Sequence, residues 1–210
     1  MTKFEKLGWV IAAAVLGLMA ASGFQIGTDK VATVNLQTLI DTSNLGKANA
    51  ATFDKMKDAR ESLLRFMDEN RVLTTDQVTQ LRTLMLKDNL TPEEKAKLDL
   101  IKAEVVVQAK RNTDLSTKAN LTPEERQLLQ EYSSRSASIE QLENQWIDEF
   151  RAEMQQWGID KKVQSLEVAK AAAQTVAKAK GFSLVFDQSV ALYSPNDLTD
   201  ETLKAMNAKS

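Results

Sequence analysis

The chain has 210 residues, 43% of them hydrophobic and 27% charged, and a formal net charge of −2 with both signs interspersed. Nucleic-acid binding needs clustered lysine and arginine, which this charge pattern does not provide. The chain contains no histidine and no cysteine, which excludes disulfides, thiolate chemistry, the usual zinc sites and histidine-based catalysis. The carboxylates lie in charge-mixed segments typical of solvated helix surfaces, so we predict neither an enzyme nor a bound cofactor.

The N-terminus has the pattern of an export signal. Two lysines among the first eight residues precede an unbroken apolar run from Trp9 to Ala21, and small residues follow it. This pattern predicts a signal peptide over residues 1–23. An uncleaved membrane anchor is the alternative, because the apolar stretch is about 18 residues long. In both cases the functional part of the chain lies outside the cytoplasm, and we predict that it is located in the periplasm.

Three short strands are predicted near the two ends of the mature chain. Val31 to Leu36 is rich in β-branched residues, and Leu184 to Asp187 and Val190 to Tyr193 read as two strands joined by a tight turn. Three such strands form a small β body, over 28–44 and 181–210, that has open edges and too little core to be stable alone. We therefore expect self-association through the body, carried by Val31, Val34, Leu36, Leu184, Phe186 and Leu192.

The region between these strands, 45–180, has the pattern of long amphipathic helices. Phe53, Met56, Leu63 and Met67 recur at steps of three, four and seven. A second helical pattern, from Pro123 onward to residue 180, would extend about 85 Å at 1.5 Å per residue, too long for the interior of a compact domain. We expect the two helices to form an antiparallel, coiled-coil-like hairpin, so the predicted fold class is α+β.

The middle of the chain contains a repeated segment. The sequence "NLTPEEK" at 89–95 returns as "NLTPEER" at 120–126, and "LTTDQ" at 73–77 is a weaker copy. Each has a threonine followed three residues later by Glu or Gln, the capping-box pattern of a helix start. A calcium or phosphate motif is the alternative, but the glycine that a calcium loop needs is missing. The pattern predicts capped helices inserted near 74–123.

Both ends of the chain resemble the Skp/OmpH family of periplasmic chaperones. The resemblance lies in "KVATVNLQTLI" near the mature N-terminus and in the C-terminal signature Lys180-Gly181-Phe182, Leu192-Tyr193 and Asp197-Leu198-Thr199. It implies a homotrimer whose strands form a β-barrel body, with helical hairpins that hang from it as tentacles. It also implies a holdase that needs no ATP and keeps unfolded outer-membrane proteins in the cavity between tentacles. Family tentacles are commonly basic, whereas this chain is slightly acidic.

Apolar side chains on the helical hairpin are the candidates for client contact, because a holdase needs adaptable apolar surface. Trp146 and Trp157 are favoured, since they lie eleven residues apart on one helix face and are large for a two-helix seam. The alternative is that these side chains join the two helices. A cell-envelope scaffold, a membrane-tethered coiled-coil adaptor and an outer-membrane-associated structural protein are the other functions considered, and binding to a membrane surface is left open. The full candidate set is Trp146, Phe150, Met154, Trp157, Phe53, Met56 and Met67, with Met85 as a further member.

Overall fold

The computed structural model describes residues 31–191 and 194–208, so the predicted signal peptide, Leu192 and Tyr193 lie outside the described residues. The described chain is mostly helical, with one small pair of strands. It divides into two compact units, one of residues up to 46 together with those from 164 onward, the other of residues 47–163. In chain order the elements are β1 (Val31–Val34), α1 (Leu36–Thr42), α2 (Asn44–Glu69), α3 (Thr75–Met85), α4 (Pro92–Thr117), α5 (Pro123–Lys180), β2 (Leu184–Asp187) and α6 (Thr199–Asn207).

The first unit contains the two strands, which run parallel although they are about 150 residues apart in sequence. Val31 pairs with Leu184 and Val34 with Asp187. On the opposite side of β1, the Thr33 N–H donates to the Asn196 carbonyl at 2.8 Å, and the Leu198 N–H donates to the Thr33 carbonyl at 2.8 Å. β1 therefore lies in the middle of this small β structure, and its backbone groups are paired on both sides.

Helices cover one face of this small sheet. The core of the first unit takes side chains from β1, α1 and α6, and it takes alanines from the C-terminal part of α5. Alanine has a short side chain, so the backbone of α5 can approach the neighbouring elements closely. The buried members of this cluster are Val34, Leu39, Ala169, Ala172, Ala173 and Met206.

Two details of the predicted strands are wrong. Leu36 begins helix α1 and does not extend the first strand, because the Asn35 side chain accepts a hydrogen bond from the Thr38 N–H and caps the helix. Val190 lies in a turn, where its N–H donates to the Asp187 carbonyl at 2.9 Å. The predicted strand from Val190 to Tyr193 therefore does not begin at Val190, and its last two residues lie outside the described part of the chain.

The second unit has a core that four helices build together. Leu63 and Met67 of α2 meet the apolar faces of α3, α4 and α5. The inserted helices thus supply a large share of the buried surface, and α4 has 26 residues, so it is a long element. The other buried members of the cluster are Leu73, Val78, Leu81, Leu84, Leu98, Ile101, Val105, Ile139, Trp146 and Phe150.

The three repeated segments all have the predicted capping geometry. Thr74, Thr91 and Thr122 each accept a hydrogen bond from the N–H three residues later. In each case the Gln or Glu at that later position accepts from the threonine N–H in return. Lysines add a second similarity between the two closest copies, because Lys87 and Lys118 each contact the capping glutamate at 2.6 Å. The repeat therefore starts helices, and its capping residues have a structural role.

Candidate functional site

Within the second unit, one stretch of α2 and α5 leaves its apolar side chains half-buried. The Phe53 and Trp157 rings are 6.0 Å apart, and Arg60 contacts Glu153 at 3.0 Å. Of the α2 side chains only Leu63 and Met67 are buried, and both lie beyond this stretch. Two paired helices cannot enclose their seam on both sides, so this part of the seam is accessible to another molecule.

This stretch forms an apolar groove of about 840 Å³ in the second unit. Phe53, Met154 and Ile159 provide apolar lining, and Ile159 is 49% exposed. Gly158 also lines the groove, and a Cβ built there would face open space, with nothing within 4 Å. The flexible thioether of Met154 can adapt to differently shaped apolar groups. Gln155 and four charged residues complete the lining; the charged residues are Lys57, Glu61, Arg151 and Lys162.

The two predicted client-binding tryptophans have different surroundings. Trp157 is half-buried beside Phe53, with the Lys161 ammonium 5.8 Å from its ring centroid. Trp146 is only 5% exposed, because α3 packs against it and the Arg82 guanidinium lies 4.7 Å from its ring centroid. The spacing of eleven residues does not distinguish these two positions. The distinguishing feature is the inserted helix, which reaches one tryptophan and leaves the other accessible.

The remaining candidates also separate into a buried and an accessible set. Phe150 and Met67 are buried in the four-helix core. Phe53, Met56 and Met154 are half-buried, and Met85 is half-buried at the edge of the core. Sequence reasoning did not single out Ile159, although its position two residues after Trp157 next to a glycine was visible.

The residues predicted to carry self-association also differ in burial. Val34 is buried within its own chain, and Val31 and Leu36 are half-buried. Leu184 and Phe186 lie on one face of β2, where they are 43% and 40% exposed. Among the described strands β2 pairs with β1 alone. An apolar, exposed strand face beside a single partner strand is the part of the first unit best suited to contact another chain.

Burial affects the ionisation of one carboxyl group in the second unit. Glu143 is buried, and its Oε1 has no hydrogen-bond partner among the described residues. Burial raises the pKa of Glu143, and the nearby carboxylates of Asp68 and Glu140 raise it further, while Arg71, 3.9 Å away, opposes them. By contrast, the Lys87 ammonium holds the pKa of the capping Glu94 below its ordinary value. These are effects on stability, and no grouping of carboxylates within the described chain is arranged to hold a metal ion.

Comparison with known proteins places the chain in a family. Residues 30–206 match the family described as outer membrane protein (OmpH-like), which covers most of the chain. A search of curated proteins and a search of solved structures each find no significant match. In the part of the chain that the structure describes, no helix is both long and apolar enough to cross a membrane. The match over residues 30–206 shows that the chain belongs to the OmpH-like family, a family of periplasmic chaperones for outer-membrane proteins that are generally non-enzymatic.

Proposed function

We propose that this chain is an ATP-independent periplasmic holdase that keeps unfolded outer-membrane proteins soluble. The observation that carries the proposal is the half-buried apolar groove between α2 and α5, in a chain of the OmpH-like family. A holdase binds many sequences weakly, which favours a long, adaptable apolar surface over one shaped pocket. The groove has that character, since its apolar lining includes a methionine and its rim carries both signs of charge.

The proposed client surface consists of the accessible candidates. Phe53, Met56, Met154 and Trp157 are half-buried in the two-helix stretch, and Ile159 adds the most exposed apolar side chain of the groove. Trp146, Phe150 and Met67 have a structural role in this proposal, because an unfolded client reaches them only if the four-helix core opens. The client surface is thus narrower than the candidate set from the sequence.

We further propose that the chain works as a homo-oligomer, with the trimer that the family resemblance implies as the expected state. Leu184 and Phe186 on the exposed face of β2 support this part of the proposal. In an oligomer these side chains would be buried against neighbouring copies, which offsets the cost of leaving them exposed in one chain. Val34 then contributes indirectly, by holding β1 in the core of its own chain.

The proposal is tested by dilution of a urea-unfolded outer-membrane protein into buffer with and without the full chain. A holdase keeps the client soluble at stoichiometric amounts without ATP, and light scattering stays low. A cell-envelope scaffold or a membrane-tethered adaptor leaves the client to aggregate as it does alone. An equal mass of a non-chaperone helical protein is the control for crowding.

A further inference from the structure

Helix α4 has two apolar faces, of which only one is buried among the residues that the structure describes. Leu98, Ile101 and Val105 are buried in the core of the second unit. On another face, Leu100 and Val107 are 60% and 68% exposed. A surface helix of a globular protein normally carries a single apolar face directed at its core. The second face of α4 therefore contributes nothing to the cores that the described residues form.

The surplus face is a continuous stripe of four residues. Ala96, Leu100, Ala103 and Val107 follow one another at steps of four, three and four, which places them on one side of the helix. All four are exposed. The stripe spans about 16 Å, or three helical turns. A contiguous apolar stripe differs from scattered exposed residues, which need no explanation, and is typical of an interaction surface.

The order of residues along the stripe favours a second copy of itself. Small and large side chains alternate, and an antiparallel copy places Leu100 opposite Ala103 and Ala96 opposite Val107. Alanines let two helices approach closely, and each large side chain then fills the space above a small one. A parallel copy would set large against large and small against small, which leaves gaps between the alanines.

Charges at the two ends of α4 favour the same direction. Glu93, in the first turn, and Arg111, in the C-terminal half, are both exposed and flank the stripe on the same side. In an antiparallel pair each Glu93 lies near the Arg111 of the other copy, so two opposite-charge contacts form. In a parallel pair the two copies of each charge lie at the same height but on opposite sides of the seam, so these contacts do not form. We propose that the stripe Ala96, Leu100, Ala103 and Val107 binds the same stripe of a second copy, antiparallel, about a two-fold axis.

This contact is distinct from the proposed association through β2. A two-fold pair cannot form within a ring of three subunits, so in a trimeric assembly it would join two rings. A single pair of helices over about three turns buries less surface than a standard protein interface, so one contact is weak and depends on concentration. Where the chain is already oligomeric, several such contacts act together and strengthen one another.

The absence of cysteine from the chain permits a clean test by disulfide crosslinking of the full protein. In the antiparallel pair the two copies of residue 103 are offset by about 4 Å along the axis, and the two copies of residue 96 by about 16 Å. A disulfide requires Cα atoms within about 7 Å. We therefore expect Ala103→Cys to crosslink with itself under mild oxidation and Ala96→Cys not to. A mixture of Ala96→Cys and Val107→Cys should crosslink.

Two variants control the experiment. Lys97→Cys is exposed on the same helix but lies off the stripe, so it should crosslink at least tenfold more slowly than Ala103→Cys. Adding Leu100→Glu to Ala103→Cys should reduce the crosslink to the Lys97→Cys level, with an unchanged circular dichroism spectrum because Leu100 is exposed. Self-crosslinking of Ala96→Cys would indicate a parallel pair and overturn the proposal.

Three other outcomes would also overturn it: equal rates for Ala103→Cys and Lys97→Cys, insensitivity to Leu100→Glu, and a crosslink that forms only when an unfolded client is added. The last outcome would assign the stripe to client binding. The test is independent of the proposed function, because Leu100→Glu should leave client holding unchanged. A chain that fails to hold clients would still show the predicted crosslinks.

Discussion

The guanidinium of Arg82 on α3 lies 4.7 Å from the ring centroid of Trp146 on α5, and the same arginine pairs with Glu149 one turn further along α5. This contact fixes an inserted helix onto the long helix and keeps Trp146 within the core. The inserted helices therefore determine which aromatic side chains of α5 are structural and which remain accessible.

The first prediction compares the two tryptophans of α5. Trp146→Ala should lower the free energy of unfolding by about 3–5 kcal/mol, because it removes a large buried side chain and leaves a cavity. Trp157→Ala should lower the free energy of unfolding by less than half as much, since Trp157 is only half-buried. Urea denaturation of both variants measures the difference. Equal losses would show that Trp157 is as much a part of the core as Trp146.

A second prediction uses two glycines in helices. A Cβ at Gly46 would lie 1.8 Å from the backbone carbonyl oxygen of Ile40, at the corner between α1 and α2. Gly46→Ala should therefore destabilise the chain by about 3 kcal/mol, because backbone must move to relieve the overlap. Gly158→Ala is the matched control and should stabilise α5 by about 1 kcal/mol, since the site is open and alanine favours helix. Thermal unfolding that ranks the two variants in the opposite order would contradict the packing at this corner.

The third prediction concerns the pH dependence that Glu143 introduces. Because its folded-state pKa is raised above the ordinary value near 4.5, Glu143 favours folding at low pH, and this contribution is lost as the pH rises through the raised pKa. Glu143→Gln should remove this loss of stability at higher pH. The variant should therefore gain stability relative to wild type at pH 7 and gain less at pH 4.5.

Urea unfolding of both proteins across this pH range gives the measurement. Carboxylates with lowered pKa values, such as Glu94 and Glu149, lose their stabilising effect as the pH falls, but they do so in both proteins and cancel in the difference. A difference between the two proteins that is constant with pH would mean that Glu143 has an ordinary pKa.

A fourth prediction separates the core of the first unit from its association surface. Phe186→Asp should reduce the native mass to that of a monomer and leave the helical content intact, because Phe186 is 40% exposed within one chain. Val34→Asp should instead unfold the first unit, because it buries a lone charge among Leu39 and the alanines of α5. Native mass spectrometry with circular dichroism distinguishes the two. A wild type that is monomeric at micromolar concentration would refute the oligomer.

Local features of this chain were predictable, and non-local ones were not. The capped helix starts follow from four consecutive residues, so Thr91 and Thr122 could be assigned directly. The end of β1 is also encoded locally, by Asn35 as a helix cap, although the β-branched pattern alone extends the strand to Leu36. The burial of Trp146 depends on a helix that begins 71 residues earlier in the chain, at Thr75. The sequence pattern of α5 alone therefore could not predict this burial. The parallel pairing of β1 with β2 is non-local in the same sense.

The central claim is that the groove between α2 and α5 holds unfolded clients, and two isoleucines of α5 test it most directly. Ile159 lines the groove and is 49% exposed, whereas Ile147 is 40% exposed and lines a different, charged cleft. The measurement is light scattering of an unfolded outer-membrane protein diluted into wild type, Ile159→Ser or Ile147→Ser at equal concentrations. We predict that Ile159→Ser needs several-fold more protein to suppress aggregation, while Ile147→Ser matches wild type. Equal suppression by all three proteins would contradict the claim and place the client surface elsewhere.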